Sequence, residues 1–336
     1  MANDNLPGFI TALQQAQAYN HPADNITLVQ THISFVLLAG DYVYKFKKPV
    51  DFGFLDFSTL AKRKFCCEQE LLLNRRLCPD IYLGLISITR QGNGFAIDGS
   101  GEIVEYGVQM KRMPEEQMMI NLIQQGRVGQ EEINTLVDKL VPFYKKAERN
   151  EEIDSYGRAE SVAVNVLENF EQTEGFVGQG AIDQDRYDRI ATWSKEFLAR
   201  EELFAARIQG GFIRDCHGDL YSANICLADQ VYIYDCIEFN RRFRYCDVAS
   251  DIAFLAMDLD FHGLEDLSSY CITEFCKKSG DETLPEMLDF YKCYRAYVRG
   301  KIGLFTASDP AVDEAVKVHC LEGSKKYFAL AEGYTR

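Results

Sequence analysis

Alternation of apolar and polar positions dominates the first third of the chain. Over residues 25–50, "NITLVQTHISFVLLAGDYVYKFKKPV", β-branched and aromatic residues recur and are interrupted by Ala39-Gly40-Asp41. That pattern predicts strands joined by a tight turn. Ahead of it, "LPGFITALQQAQAYN" reads as a short amphipathic helix that stops at the His21-Pro22 break. After it, "LAKRKFCCEQELLLNRRL" places Ala61, Phe65, Leu72 and Leu73 at helical spacing with charges between them. The spacing predicts a helix of about four to five turns. Short strands resume at "YLGLISITR", "GFAIDG" and "IVEYGVQMKRM", so the expectation is two helices and five short strands up to Pro114, where the pattern breaks.

Beyond Pro114 the texture becomes helical: "EEINTLVDKLVPFYKKAER", "SVAVNVLENFEQT", "DRYDRIATWSKEFLAREELFAARI" and two further segments after Pro285. Only "GFIRDCHG" and "QVYIYDCIEF" interrupt it with strand-like runs. The expected architecture is α+β and bilobal. Residues 1–113 make a small antiparallel-sheet lobe with one main helix, and residues 114–336 a larger, mostly helical lobe. A length of 336 residues suits two lobes better than one core.

Charge narrows the partners. A net charge of −15 argues against a nucleic-acid or membrane-surface binder, which needs a basic face; it permits a cationic small-molecule substrate without demonstrating one. No uncharged apolar run is long enough to span a bilayer, and "MANDNLPGFI" lacks a signal-peptide layout, so a cytoplasmic location is expected. Eleven cysteines include Cys216, Cys226, Cys236 and Cys246 at ten-residue intervals. No C-x-x-C pair accompanies them, so reduced thiols serving as small apolar residues are expected rather than a zinc site or disulfides.

The chemistry concentrates in "CHGDLYSANICLADQVYIYDCIEF", residues 216–239. His217-Gly218-Asp219 followed by Asn224 gives H-G-D-x-x-x-x-N, and Asp235 closes an alternating run in which Val231, Ile233 and Asp235 share one face. Phosphoryl transfer needs a carboxylate to meet the acceptor hydroxyl, here Asp219. It also needs hard oxygen ligands to hold Mg²⁺ on the nucleotide phosphates, here Asn224 and Asp235. An Asp- and Asn-rich turn satisfying its own backbone is the alternative for H-G-D alone. The three residues together favour chemistry.

These loops resemble the catalytic and metal loops of the aminoglycoside phosphotransferase and choline-kinase-like family, relatives of the protein kinases. "CDVASDIAFLAMD" is similar to that family's D-x-x-x-D-L-A stretch, with Asp247 and Asp251 opening a helix beneath the site. "HISFVLLAGDYVYKFKKPVDFGFLDFSTL" and "CEQELLLNRRLCPDIYLGL" look like bacterial members often fused to a P-loop ATPase domain; no G-x-x-x-x-G-K-[ST] occurs, so that second domain is not expected here.

The resemblance implies ATP and Mg²⁺ as cofactors and a strand lysine paired to a helix glutamate. Lys45 continues the strand alternation and is preferred, with Lys47 in reserve because it lies nearer Pro49. Glu70, spaced helically with Leu73 and Leu77, is preferred to Glu68, which points to another face. "GVQMKRMP" is similar to the hinge that meets adenine, with Met110 and Met113 as apolar walls or, equally, as core residues. A glycine-rich phosphate loop is missing; "QTHISFV" stands in its place, with Thr31 and Ser34 hydroxyls and backbone N–H groups as the candidate cradle. Asp51-Phe52-Gly53 spells the metal triplet of protein kinases but precedes the catalytic loop by more than 160 residues, so it is read as a decoy.

The expected activity is transfer of the ATP γ-phosphate to a hydroxyl of a small molecule. Only eleven residues separate Asp235 from Cys246 and no A-P-E follows, which counts against the atypical protein kinase. A silent nucleotide-binding regulatory module is the other alternative. The acceptor pocket is expected near "ERNEEIDSYGRAE" and "NRRFRYCD", where Arg241, Arg242 and Arg244 either meet an anionic group or lie in solvent.

Overall fold

The computed structural model describes residues 6–310 and 312–336. The chain divides into two compact units: residues 1–118 with 232–241, and residues 119–231 with 242–336.

The first unit is built on a six-stranded antiparallel sheet: β1 (Thr27–Gln30), β2 (Ser34–Ala39), β3 (Tyr42–Lys47), β4 (Tyr82–Gln91), β5 (Gly94–Ile97) and β6 (Glu102–Lys111), in the order β1-β2-β3-β6-β4-β5. There are six strands rather than five because Thr31 folds the first apolar run back on itself. Its Oγ1 accepts from the Ser34 N–H at 2.9 Å and its own N–H donates to the Ser34 carbonyl at 2.9 Å. Gly40 turns β2 into β3 with φ +59°, where an added Cβ would meet the Pro22 carbonyl oxygen at 2.4 Å.

Alternation along β3 divides its side chains between two faces. Tyr44 and Phe46 join Phe35, Leu37, Ile86 and Ile88 in a core closed by Ile10 and Leu13 of α1 (Gly8–Leu13). That helix ends well before His21-Pro22, with a 3₁₀ turn at Ala16–Ala18 in between. Lys45 and Lys47 take the other face. Helix α2 (Leu60–Asn74), capped by Thr59, packs on β4 and β6. Its buried face is not the predicted one. Phe65 and Leu72 are 55% and 63% exposed and Ala61 faces solvent, whereas Arg63, Cys66, Cys67, Glu70, Leu71, Leu73 and Asn74 are buried.

Where β6 passes β3, Gly107 stands opposite Phe46. A Cβ there would fall 2.5 Å from the Phe46 ring and 2.9 Å from the Lys45 carbonyl. Gly107→Ala is therefore expected to destabilise the protein by about 1–3 kcal/mol through overpacking, measured as a lower urea midpoint at unchanged m-value.

The second unit is mainly helical. It runs α3 (Met119–Gln124), α4 (Gln130–Lys146), α5 (Glu151–Ser155), α6 (Ala159–Thr173), α7 (Gln184–Leu198) and α8 (Glu201–Gln209). Short strands follow at β7 (Ile213–Asp215), β8 (Ile225–Leu227), β9 (Val231–Ile233), whose last two residues belong to the first unit, and β10 (Tyr245–Asp247). Then come α9 (Val248–Phe261), α10 (Glu265–Ser279), α11 (Leu284–Ser308) and α12 (Glu314–Gly333). The single helix expected over "DRYDRIATWSKEFLAREELFAARI" breaks at Arg200, whose ψ of 61° is not helical. Helix α9 is buried almost throughout and packs against α10 and α11, and α11 against α12. Arg207 of α8, 1% exposed, ties the unit together: it donates to both oxygens of Asp247 at 2.7–2.8 Å and both of Asp281 at 2.5–2.8 Å.

Candidate active site

The residues singled out above fall into two groups, one in each unit.

In the first unit, five charged side chains meet on the α2 side of the sheet. Glu70, completely buried, forms an ion pair with Lys45 through Oε1 at 2.8 Å and accepts a hydrogen bond from Lys47 on Oε2 at 2.5 Å. Lys45 also reaches Asp235 Oδ1 at 2.6 Å, and Lys47 reaches Glu238 Oε1. Burial would lower both lysine pKa values, but the facing carboxylates outweigh it and hold both above the ordinary lysine range. For Glu238 burial wins instead: with Glu70 reinforcing it, burial raises the carboxyl despite Lys47. Exposure distinguishes the two lysines. Lys47 is enclosed at 1%, while the Lys45 side chain is 15% exposed and touches an Asp235 side chain that is 43% exposed. Glu68 lies outside the cluster, 48% exposed and beside Lys64.

Asp235 does not continue the apolar strand face. β9 ends at Ile233, and Asp235 takes φ +61°, an uncommon conformation for a residue with a side chain and one that marks functional loops. Its neighbourhood is pinned from α2 and the turn after it. The Cys236 N–H donates to Asn74 Oδ1 at 2.9 Å, Cys78 Sγ donates to the Ile233 carbonyl at 3.2 Å, and the Asp235 N–H donates to the Tyr82 hydroxyl at 3.3 Å.

The remaining candidates of this unit are placed less favourably. Thr31 spends its hydroxyl within its own turn, accepting from Ile33 and Ser34 N–H groups, and the Ser34 side chain is buried at 1% exposure. The Thr31 hydroxyl is thus engaged locally, while the buried Ser34 hydroxyl has no hydrogen-bond partner among the described residues. Met110 is 8% exposed in β6 opposite Val43 and Tyr82, and Met113 is half-buried just past the strand. Asp51-Phe52-Gly53 forms a small turn in which the Gly53 N–H donates to Asp51 Oδ1 at 2.9 Å.

In the second unit, Asp251, fully buried in the first turn of α9, organises the H-G-D loop. It accepts the His217 N–H at 2.7 Å, the Gly218 N–H at 2.9 Å and the Tyr144 hydroxyl at 3.1 Å. Gly218 turns the chain with φ +87°, and its carbonyl accepts from Arg295 Nη1 at 2.8 Å. The buried His217 ring accepts the Asp219 N–H at 3.3 Å on Nδ1, which makes it a prop for the loop. Asn224 Nδ2 donates to the Asp219 carbonyl at 3.0 Å and to Asp219 Oδ2 at 2.9 Å. With its nitrogen so engaged, the amide oxygen is the end of Asn224 that can act as a ligand. The Ser222 N–H donates to Asp258 at 3.0 Å, fixing the far side of the loop.

Of the three arginines named for an acceptor pocket, Arg241 is exposed and the other two form internal ion pairs. Arg242 pairs with Glu168 and Arg244, 4% exposed, with Asp215, each at 2.5 Å. Glu238, Asn74 and Arg295 are participants to which the sequence pattern assigns no role, their advance signal being polarity inside otherwise apolar segments; Lys47, the reserve to Lys45, lies in the same cluster as Lys45. None of the eleven cysteines forms a disulfide, and Cys216, Cys226 and Cys236 are buried. Among the described residues no helix is long and apolar enough to cross a membrane.

No family model matches the chain. Uncharacterized proteins of Mycobacterium tuberculosis and Mycobacterium bovis are 36% identical over 287 residues, which is 84% of this chain but 56% of theirs. The chain thus spans little more than half the length of these relatives. Among solved structures, a choline/ethanolamine kinase family protein from Mesorhizobium loti aligns over 94% of both chains at 10% identity with a TM-score of 0.49. Spectinomycin phosphotransferase, in complex with ADP and spectinomycin, aligns over 98% of this chain and 99% of its own at 10% identity with a TM-score of 0.50. At that identity the likeness is one of fold. The chain has a bilobal α+β, kinase-like fold, the fold it shares with spectinomycin phosphotransferase.

Proposed function

We propose that the chain is a phosphotransferase that moves the γ-phosphate of ATP to a hydroxyl of a small molecule. The observation that carries this reading is Lys45 shared between Glu70 and Asp235, at 2.8 and 2.6 Å, from three segments far apart in sequence. A cation held by two carboxylates at a half-open edge is the arrangement that receives nucleotide phosphates.

The donor set suits Mg²⁺. Among the described residues no three His, Cys, Asp or Glu side chains gather to hold a metal unaided. Magnesium commonly takes one or two protein oxygens and completes its shell with phosphates and water. Asp235 and the Asn224 amide oxygen are the hard ligands for it, and the buried thiols are not. When bound, the ion neutralises charge developing on the transferred phosphoryl group.

This chain's residues do the positioning. Lys45, oriented by Glu70, holds the nucleotide phosphates. Asp219 orients the acceptor hydroxyl and takes its proton late, while Asn224 keeps the Asp219 carboxylate in one rotamer. Met110 and Met113 flank the adenine end. The acceptor is a small molecule, as spectinomycin is for the neighbour named for it. ATP consumption assayed with Mg²⁺ against a panel of small alcohols, amino alcohols and aminoglycosides tests the reading. Acceptor-dependent ADP formation supports it, and tight nucleotide binding with no turnover on any acceptor identifies a silent binding module. Asp235→Asn is expected to raise the Mg²⁺ concentration for half-maximal turnover by about 10–100-fold, read from a metal titration at saturating ATP.

A further inference from the structure

Glu70 serves two lysines, and only one of them is accounted for by the phosphotransferase reading. Lys47 is enclosed at 1% exposure, with Glu70 Oε2 at 2.5 Å on one side and Glu238 on the other. Its ammonium also lies 5.4 Å from the centre of the Phe57 ring. Glu238 is three residues beyond Asp235 and 191 residues from Lys47. A buried ion pair is costly to desolvate, and an apolar pair of similar volume commonly serves stability as well or better. Stability alone therefore does not explain why β3 carries a second enclosed lysine.

Geometry supplies another reason. With Oε2 occupied by Lys47, Glu70 presents only Oε1 to Lys45. That fixes which Glu70 oxygen meets the Lys45 ammonium, and hence where the ammonium stands between Glu70 and Asp235. At the other end, Glu238 fastens the segment after Asp235 to the sheet. The Asn74, Cys78 and Tyr82 contacts fasten the stretch from Ile233 to Cys236. Asp235 therefore sits in its left-handed conformation between two anchored points.

We propose that Lys47 and Glu238 are positioning residues of the nucleotide–metal site: Lys47 sets the Glu70 carboxylate, and Glu238, through Lys47, sets the loop that carries Asp235. This rests on the reading that Lys45, Glu70 and Asp235 serve MgATP. Lys47 is not a substitute phosphate ligand, because its two carboxylates enclose it.

The test is isothermal titration of the whole chain with MgATP, and with ATP in the presence of EDTA, for the wild type, Glu238→Gln, Lys47→Met and the double variant. Circular dichroism and thermal melts report folding in parallel. The double variant removes both charges together, so neither is left buried and alone. Glu238→Gln is expected to weaken MgATP binding by about tenfold or more while metal-free ATP changes by less than about threefold. Lys47→Met is expected to weaken both, since it acts through Glu70 on Lys45. The folded double variant is expected to remain at least about tenfold weaker for MgATP, because position rather than stability has been lost. MgATP binding within about threefold of wild type in the folded double variant would overturn the assignment and leave the pair a fold element. Failure of the wild type to bind MgATP would overturn the phosphotransferase reading and this assignment with it, a result distinct from wild-type binding that the variants retain.

Discussion

Asp219→Asn is expected to lower acceptor-dependent phosphoryl transfer by about 10²–10³-fold, or about 3–4 kcal/mol of barrier. Nucleotide binding and thermal stability should stay at wild-type levels. The substitution is isosteric, and the supports of the loop are backbone groups it does not touch. The His217 and Gly218 N–H groups still reach Asp251, and Arg295 still holds the Gly218 carbonyl. The Asn224 amide still donates to the residue 219 carbonyl at 3.0 Å. What disappears is a carboxylate able to accept the hydroxyl proton. Coupled ADP-release kinetics with the acceptor found in the panel measure the first quantity, and titration with MgATP the second. Wild-type turnover in a folded Asp219→Asn protein would remove Asp219 from the mechanism.

Arg207→Met is expected to cost about 3–5 kcal/mol of folding stability, a large part of the 5–15 kcal/mol typical of a domain. The side chain is only 1% exposed and donates two hydrogen bonds to each of two carboxylates, on Asp247 and Asp281, with Thr283 at 2.7 Å as well. Those carboxylates are themselves 1% exposed. Removing the guanidinium strands two buried negative charges, whereas lysine in its place would recover one point contact and lose the paired geometry. The damage reaches the H-G-D loop, because Asp247 caps α9 through the Ala249 N–H and the first turn of that helix carries Asp251. Urea denaturation should show the midpoint of Arg207→Met falling furthest, with Arg207→Lys between it and the wild type.

Much of this was legible in the residues themselves. Alternation found the strands, and H-G-D-x-x-x-x-N could be read because its partners lie within eight residues of one another. Helix α2 was misread in an instructive way. Its inward face holds Arg63, Cys66, Cys67, Glu70 and Asn74 beside Leu71 and Leu73, so polar and sulfur-bearing residues outnumber the apolar ones. Apolar periodicity points to Ala61, Phe65, Leu72 and Leu73, of which only Leu73 is buried. Asp235 was misjudged because alternation extrapolates a strand and carries no sign of a left-handed residue ending it. Nothing local in the sequence shows that the Thr31 hydroxyl is engaged within its own turn or that the Ser34 side chain is buried. Glu238 was out of reach for a simpler reason: its partner is 191 residues away, and nothing local distinguishes it from a solvated glutamate.

The contact between Lys45 and Asp235 also has a thermodynamic consequence under the phosphotransferase reading. Each of the two side chains is the other's competitor for a ligand: Lys45 for phosphate, Asp235 for a divalent ion. Whichever ligand arrives first must break the pair and bears that cost, and the second finds its partner already released. The two affinities are then linked by one coupling free energy, equal in both directions. A site wired in this way takes nucleotide or cation alone more weakly than it takes the two together, so a single 2.6 Å contact favours the loaded nucleotide over either part.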